Sequence, residues 1–342
     1  MTQVSAPGPV AHGGNLHEAA QRYGIAYDQW VDLSTGINPH AYPVPPIPAS
    51  AWRRLPDDGD DFAAIAARYY GVPDTRCILP VAGSQAAIRV LPHHLPQATV
   101  AIAPLTYGEY AHAFARAGHT IVPLDEDTDT LPAAVRHAVV VTPNNPTATH
   151  VTPARLRHWQ QQLQARGGTL IVDETFADAD GQTAAASLAP EAGIAGLVVL
   201  RSPGKFFGLA GARCGFVMAH PALLAQLHDA LGPWTVNSPA RHAVTHAFAD
   251  TGWQQHMRIQ LAAESARLAE LLRTHGLQPR TTPLFAWVST PHAATLQHQL
   301  AQQGIWTRLF PEPASLRFGL PDTESAWQRL EAALSASLPQ NR

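Results

Sequence analysis

Ser202 stands three residues before Lys205, and Arg213 stands eight residues after it, within Arg201-Ser202-Pro203-Gly204-Lys205-Phe206-Phe207-Gly208-Leu209-Ala210-Gly211-Ala212-Arg213. The apolar run Leu197-Val198-Val199-Leu200 precedes this block and reads as a buried strand. A lysine in a Gly-rich turn just past such a strand is a candidate covalent anchor. Its amine can form a Schiff base with a carbonyl compound, and pyridoxal 5'-phosphate (PLP) is the commonest such cofactor. Ser202 and Arg213 would then offer a hydroxyl and a guanidinium fork to the cofactor phosphate. A solvated lysine in an ordinary loop is the competing reading, and this block alone does not decide between them.

Four further stations carry chemistry at strand ends. Gly83-Ser84-Gln85 follows an apolar run and opens a helix, so Ser84 can cap the helix and also face a phosphate. Tyr107 lies just past the next strand, where an aromatic ring can stack on a pyridine ring or simply pack a helix start. Asn145 precedes Pro146, which holds it extended and aims its amide, potentially at a phenolate oxygen; an ordinary Asn-Pro turn would look the same. Asp173 ends the apolar run Leu170-Ile171-Val172. A carboxylate delivered by a buried strand is costly unless paired, and a pyridinium N–H is one suitable partner.

In combination, the order Gly-Ser turn, aromatic, Asn-Pro, strand Asp, Ser-x-x-Lys and Arg resembles the fold-type-I PLP enzymes of the class I/II aminotransferase family over nearly the whole chain. The resemblance implies Lys205 as the Schiff-base lysine, Asp173 at the ring nitrogen, Asn145 at the ring oxygen and Tyr107 stacked on the ring. It also implies a phosphate site lined by Gly83, Ser84, Gln85, Ser202 and Arg213.

Two more segments narrow the resemblance. His12-Gly13-Gly14-Asn15 and the later Gly36-Ile37-Asn38-Pro39 are a Gly-Gly turn able to present backbone donors to an anion and a loop near the site. Together they are similar to the opening segment of threonine-phosphate decarboxylases, a branch of this family acting in cobalamin biosynthesis. The resemblance then implies that Arg317, in Leu316-Arg317-Phe318-Gly319, clamps a substrate carboxylate and that Arg308 meets the substrate phosphate. The expected reaction is decarboxylation of L-threonine O-3-phosphate. The alternatives are an aminotransferase on a phosphorylated substrate such as histidinol phosphate, and a non-catalytic PLP-fold protein. Two positions depart from the wider family: Phe176 stands where many members have a Tyr that meets the ring oxygen, and Leu55 stands where related enzymes carry a Tyr that reaches a neighbouring subunit's cofactor.

The elements that must position these groups follow from hydrophobic patterning. Short apolar runs at 77–81, 99–103, 119–123, 138–142, 169–173, 197–201 and 213–218 alternate with helical stretches at 84–91, 107–117, 153–166 and 185–190. That alternation predicts an α/β fold with a mostly parallel seven-stranded sheet sandwiched by helices, binding ligands at the strand carboxyl ends. An earlier helix is expected over 60–70. Helices at 221–231, 239–274, 292–303 and 322–336, with strands at 284–289, 305–310 and 315–319, predict a smaller α+β unit. The expected division is an irregular N-terminal arm over 1–48, a PLP-binding domain over 49–225 and a C-terminal domain over 226–342.

Composition fits this reading. The 342 residues are 46% hydrophobic and 14% charged, with a net charge of −3 and no long basic run, so neither nucleic acid nor an anionic membrane surface is an expected partner. Cys77 and Cys214 match no disulfide or metal framework, and the histidines, including His242 and His246, lack a third ligand at useful spacing. No signal peptide and no apolar run long enough to span a bilayer is visible. The acidic run Asp57–Asp61 reads as a turn and helix cap. A cytoplasmic homodimer with a small phosphorylated substrate and no metal is expected.

Overall fold

The site hangs on the strands of a computed structural model that describes residues 12–181 and 186–338. In chain order these are β1 (Val31–Leu33), β2 (Ile78–Val81), β3 (Thr99–Ile102), β4 (Thr120–Pro123), β5 (Val135–Val141) and β6 (Thr169–Asp173). They continue as β7 (Leu197–Arg201), β8 (Gly215–Ala219), β9 (Pro279–Thr282), β10 (Phe285–Ser289), β11 (Ile305–Phe310) and β12 (Ser315–Gly319). The chain divides into two compact units. One holds Tyr42–Asn145 and Thr149–Gln254, and the other holds residues 12–41, Pro146–Ala148 and residues 255–338.

The first unit is built on a seven-stranded sheet in the order β2-β8-β7-β6-β5-β3-β4. Strands β4, β3, β5, β6 and β7 are parallel, and β8 is antiparallel to both β7 and β2. Strand β2 therefore runs the same way as the parallel set. Strands β6, β7 and β8 are buried at every position, which requires the unbroken apolar runs seen in the sequence. Both edge strands carry a proline, Pro80 in β2 and Pro123 in β4. Each proline removes a ladder donor where a central strand could not spare one. The core joins Val100, Val139, Ile171, Val198, Leu200 and Val217 of the sheet to Ile88, Tyr110 and Phe114 of the helices.

The second unit carries a five-stranded sheet in the order β1-β11-β12-β10-β9. Strand β1 runs parallel to β11, with Val31 opposite Ile305 and Leu33 opposite Thr307. Each neighbouring pair in the run β11-β12-β10-β9 is antiparallel. Ala19, Trp30 and Ala301 form a small core with Tyr23 and Trp306 around it.

Several expectations are revised. Residues 1–48 were expected to be irregular, yet Leu16–Tyr23 is helical and Val31–Leu33 is a strand. A three-residue strand paired with one some 270 residues later leaves no local periodic signal. The helix expected over 239–274 is two helices, Ser238–Ala249 and Thr251–Thr274, because Asp250 turns its carboxylate to the Trp253 N–H at 2.9 Å and restarts the helix. The helix expected over 185–190 falls partly outside the described residues, and the part described holds only a short 3-10 turn, Ala189–Glu191. Strand β9 was not anticipated. The helix Pro221–Leu231, which straddles the expected boundary at 225, and the helix Ser238–Ala249 beyond it lie in the first unit. Leu224 and Leu227 join the sheet's core, and Phe248 stacks on Tyr69 at 4.0 Å between centroids.

Candidate active site

Because β2, β3, β5, β6 and β7 all run one way, their carboxyl ends share one edge of the sheet, and the chemically competent residues follow those ends. Gly83 and Ser84 come after β2, Tyr107 after β3, Asn145 after β5, Asp173 at the tip of β6, and Ser202 and Lys205 after β7. Arg213 precedes β8, which starts from that same edge because it is antiparallel. One cavity is lined by Gly83, Ser84, Gln85, Tyr107, Asn145, Asp173, Thr175, Phe176, Ser202, Lys205 and Arg213. Every cofactor-site residue expected from the sequence is on its wall.

Lys205 lies in the one-turn helix Pro203–Phe206, which Ser202 caps by accepting the Gly204 N–H at 3.2 Å. Phe206 and Phe207 are buried beside it and pack on Trp253. The Lys205 Nζ lies 5.5 Å from the ring centroid of Phe176, so Phe176 offers the amine an aromatic face. Lys205 is also the only lysine among 342 residues, the other 22 of the 23 basic residues being arginine.

Asp173 is buried, and burial pushes its carboxyl above the ordinary value. Hydrogen bonds from Thr175 and Tyr110, and the charge of Lys205, pull the other way. Tyr110 donates to Oδ2 at 2.8 Å, while the Thr175 N–H donates to Oδ1 at 2.9 Å and the Thr175 hydroxyl bonds the same oxygen. Sequence reasoning missed both supports. Tyr110 sits one helical turn after Tyr107, on the face that a 3.6-residue period directs to the sheet.

Tyr107 donates its hydroxyl to Gln85 Oε1 at 2.9 Å, and Gln85 in turn donates to the buried Glu109. Burial, with Glu109 and Asp173 adding to it, pushes the Tyr107 phenol up to about 12, so it stays neutral. The Gln85 side chain thus holds Tyr107, while Gln85 lines the cavity beside Ser84. Asn144 accepts from Thr106 at 2.6 Å and donates to the Leu105 carbonyl at 2.9 Å, so it braces the loop that Asn145 ends.

Gly83 leaves room beside Arg213, and Gly215 lets β8 press on the backbone of the Gly83–Ser84 turn. Gly83 has φ +77°, and a Cβ there would sit 2.8 Å from Arg213 Nη2. A Cβ on Gly215 would sit 2.6 Å from the Ser84 nitrogen. Arg213 itself adopts φ +54°, which aims its fork into this space.

A buried ion network stands behind the strand tips. Arg201, at the end of β7, pairs with Glu174 at 2.7 Å and with Asp178, and its guanidinium lies 4.8 Å from the Tyr70 ring centroid. Burial alone would weaken the cation, but Asp178 and Glu174 overcome it and raise the Arg201 pKa. Glu174 also accepts the Leu188 N–H at 2.9 Å and bonds Ser187. Arg201 adjoins Ser202 and Glu174 adjoins Asp173, so the pair clamps the tips of β6 and β7 together. Arg201→Met is expected to destabilise the fold by about 3–5 kcal/mol, since two carboxylates lose their buried partner; urea unfolding monitored by circular dichroism checks this.

The expected substrate residues lie in the second unit. Arg308 and Arg317 are directly opposite across β11 and β12. Like charges in register are unfavourable unless an anion lies between or beside them. Arg317 is buried and donates to the Ser34 carbonyl at 2.5 Å; burial and Arg308 push its guanidinium down to about 10, with Asp32 opposing. Arg308 donates to the His12 carbonyl at 3.4 Å. Gly13 presses on Ser34, where a Cβ would come within 2.3 Å of the carbonyl oxygen, and Gly14 donates its N–H to Ser34 Oγ at 2.7 Å. The Asn15 side chain caps the helix Leu16–Tyr23, the ordinary use of such a residue. Gly36 is buried, and Asn38 accepts the His40 N–H at 2.8 Å and lines a separate cavity with Asp32, Asp322 and Arg329.

In the acidic run, Asp57 and Asp60 make the expected turn and helix-start bonds to Gly59 and Phe62. Arg241, missed from sequence, binds Asp58, Asp60 and the Asp57 carbonyl. Among the described residues no group of three or more His, Cys, Asp or Glu is arranged to hold a metal ion, and no helix is long and apolar enough to cross a membrane.

The family described as aminotransferase class I and II matches residues 56–333. A threonine-phosphate decarboxylase of Pseudomonas aeruginosa is 47% identical over 327 residues, covering 95% of this chain and 97% of that one. A threonine-phosphate decarboxylase of a Sinorhizobium species is 40% identical, covering 96% and 98%. Among solved structures, the histidinol-phosphate aminotransferase of Sinorhizobium meliloti in complex with pyridoxal-5'-phosphate superposes with a TM-score of 0.81, at 16% identity, over 96% of this chain and 95% of that one.

Proposed function

From its membership of the class I and II aminotransferase family, to which the chain belongs, we propose that this protein is a PLP-dependent decarboxylase of L-threonine O-3-phosphate. Its product is (R)-1-amino-2-propanol O-2-phosphate, made in cobalamin biosynthesis. The observation that carries this reading is likeness to a threonine-phosphate decarboxylase at 47% identity along almost the whole of both chains.

The cavity of the first unit fits the cofactor. Gly83 leaves space beside Arg213 that a side chain would fill, and Asp173 is a buried carboxylate whose charged form Lys205 favours. In this reading Arg213, Ser84 and Ser202 would hold the phosphate, Asp173 would keep the ring nitrogen protonated, Asn145 would meet the ring oxygen, Tyr107 would cover a ring face and Lys205 would be the covalent anchor. When bound, the protonated ring withdraws electrons from the substrate α-carbon. Tyr110 and Thr175 keep both Asp173 oxygens in place. Lys205 Nζ, or water, would supply the proton that the α-carbon takes once carbon dioxide has left. Arg317 takes the substrate carboxylate and Arg308, with the His12–Asn15 loop, the substrate phosphate. Positioning therefore carries the choice of bond.

The direct experiment incubates the purified holoenzyme with L-threonine O-3-phosphate and measures carbon dioxide and the amino alcohol phosphate. A keto product from histidinol phosphate with a keto-acid acceptor, and no carbon dioxide from threonine phosphate, would reverse the assignment to the aminotransferase alternative. Gly83→Ala strains a positive-φ site and displaces Arg213 by contact; a strain of about 1–3 kcal/mol corresponds to cofactor affinity lowered roughly 5- to 150-fold, read by titrating PLP into stripped protein.

A cytoplasmic homodimer is part of the same proposal. Trp52, Leu55 and Trp234 are 68%, 66% and 52% exposed. Arg241 ties the 57–60 loop to the helix Ser238–Ala249, which places all three on neighbouring segments of the first unit. Exposed aromatic surface of this kind suits a subunit contact. Sedimentation at a mass near 36.7 kDa instead of twice that value would refute the dimer.

A further inference from the structure

Ser34, in the bend after β1, is 1% exposed and touches three different parts of the second unit. Its Oγ accepts the Gly14 N–H at 2.7 Å and donates to Asp32 Oδ1 at 2.6 Å, so both roles of one hydroxyl are taken. Its own N–H donates to the same Asp32 oxygen at 2.8 Å, which fixes the direction of the hydroxyl. Its carbonyl oxygen accepts Arg317 Nη2 at 2.5 Å. The contact with the glycine loop is close, because a Cβ on Gly13 would fall 2.3 Å from that carbonyl oxygen. Across the sheet, Arg308 faces Arg317 in register and reaches back to the His12 carbonyl at 3.4 Å. The loop at 12–15 and the two arginines are therefore one braced assembly with Ser34 at its centre.

We infer that Ser34 is a positioning residue that fixes the separation between the His12–Asn15 loop and the Arg317 guanidinium, and thereby sets the length of substrate the assembly accepts. The inference rests on the substrate roles proposed above for those groups. A substrate with an anion at each end is read by the distance between its anions, and a few tenths of an ångström at either group changes the fit. Ser34 does this without touching the substrate. Its hydroxyl holds the loop, its carbonyl holds the arginine, and Asp32 prevents either from turning.

The test compares L-threonine O-3-phosphate with an O-phosphorylated amino acid longer by one methylene between phosphate and α-carbon. In Ser34→Ala the Gly14 N–H and Asp32 lose their shared partner, and KM for threonine phosphate is expected to rise roughly tenfold with a much smaller fall in kcat. Discrimination against the longer substrate should narrow. Ser34→Thr keeps the hydroxyl and should recover most of both properties. Should Ser34→Ala fail to fold, Asp32→Ala frees the hydroxyl from its direction and should show the same KM rise and narrowed discrimination. An unchanged KM, or equal losses in kcat and KM with discrimination intact, overturns the inference. A wild-type enzyme that releases no carbon dioxide from threonine phosphate overturns the substrate reading first and takes this inference with it, so the two failures are told apart.

Discussion

Lys205→Ala is expected to abolish the visible absorbance of the holoenzyme and to lower turnover by at least ~10³- to 10⁴-fold, the upper range for loss of a proton-transfer group, with a further loss from the missing anchor. The fold should survive. The one-turn helix is held by Ser202 and by the buried Phe206 and Phe207, none of which depends on the lysine side chain. The chain offers no other lysine that could substitute. An amine-directed reagent should accordingly label the stripped wild-type protein at Lys205 and at the N-terminus, and the variant at the N-terminus alone. Retained visible absorbance, or turnover within tenfold of wild type, would rule out this anchor.

Asp173→Asn is the second large effect. An amide cannot hold the ring nitrogen in its charged form, so turnover should fall by roughly 10²- to 10³-fold, about 3–4 kcal/mol, as for loss of one preorganised electrostatic group. Stability should respond in the opposite direction. Burial raises the Asp173 carboxyl above 3.8 in the folded chain, so on raising the pH the unfolded chain gives up this proton first. Folding of the cofactor-free wild type then loses stability from about pH 4 up to the raised value and stays lower above it. The variant has no such proton. Its stability relative to wild type should climb through that window and level off, measured by urea titrations at several pH values. Added cofactor, whose ring nitrogen would pair with the ionised Asp173 of the wild type, should shrink that difference. A difference that is flat with pH would show that Asp173 titrates normally.

Much of the first unit was legible because its strands are buried on both faces. Such strands must be continuously apolar, and β6 and β7 were bounded correctly for that reason. The residues that line the first unit's cavity could be read as a series because they gather at one edge of the sheet: Asp173 at the tip of β6, Ser84, Tyr107, Asn145 and Lys205 past the ends of β2, β3, β5 and β7, and Arg213 just before β8. What could not be read were partners brought in by packing. Tyr110 is one of two aromatics on its helix, with Phe114, until the sheet places it 2.8 Å from Asp173. Arg201, Glu174 and Asp178 are ordinary charges in sequence, and become a clamp only when β6 and β7 lie side by side. The second unit was read least well at its start, since β1 owes its existence to β11.

That dependence has a consequence for synthesis on the ribosome. Residues 12–41 leave the exit tunnel early, yet the strand they pair with is made some 270 residues later, roughly 14–55 s at ordinary elongation speed. Over that interval Trp30, Val31 and Leu33 have no sheet to join, while the whole of Tyr42–Gln254 has been made. A nascent chain stalled before residue 305 should therefore bind a hydrophobic-segment chaperone through its first forty residues and lose that binding once β11 emerges.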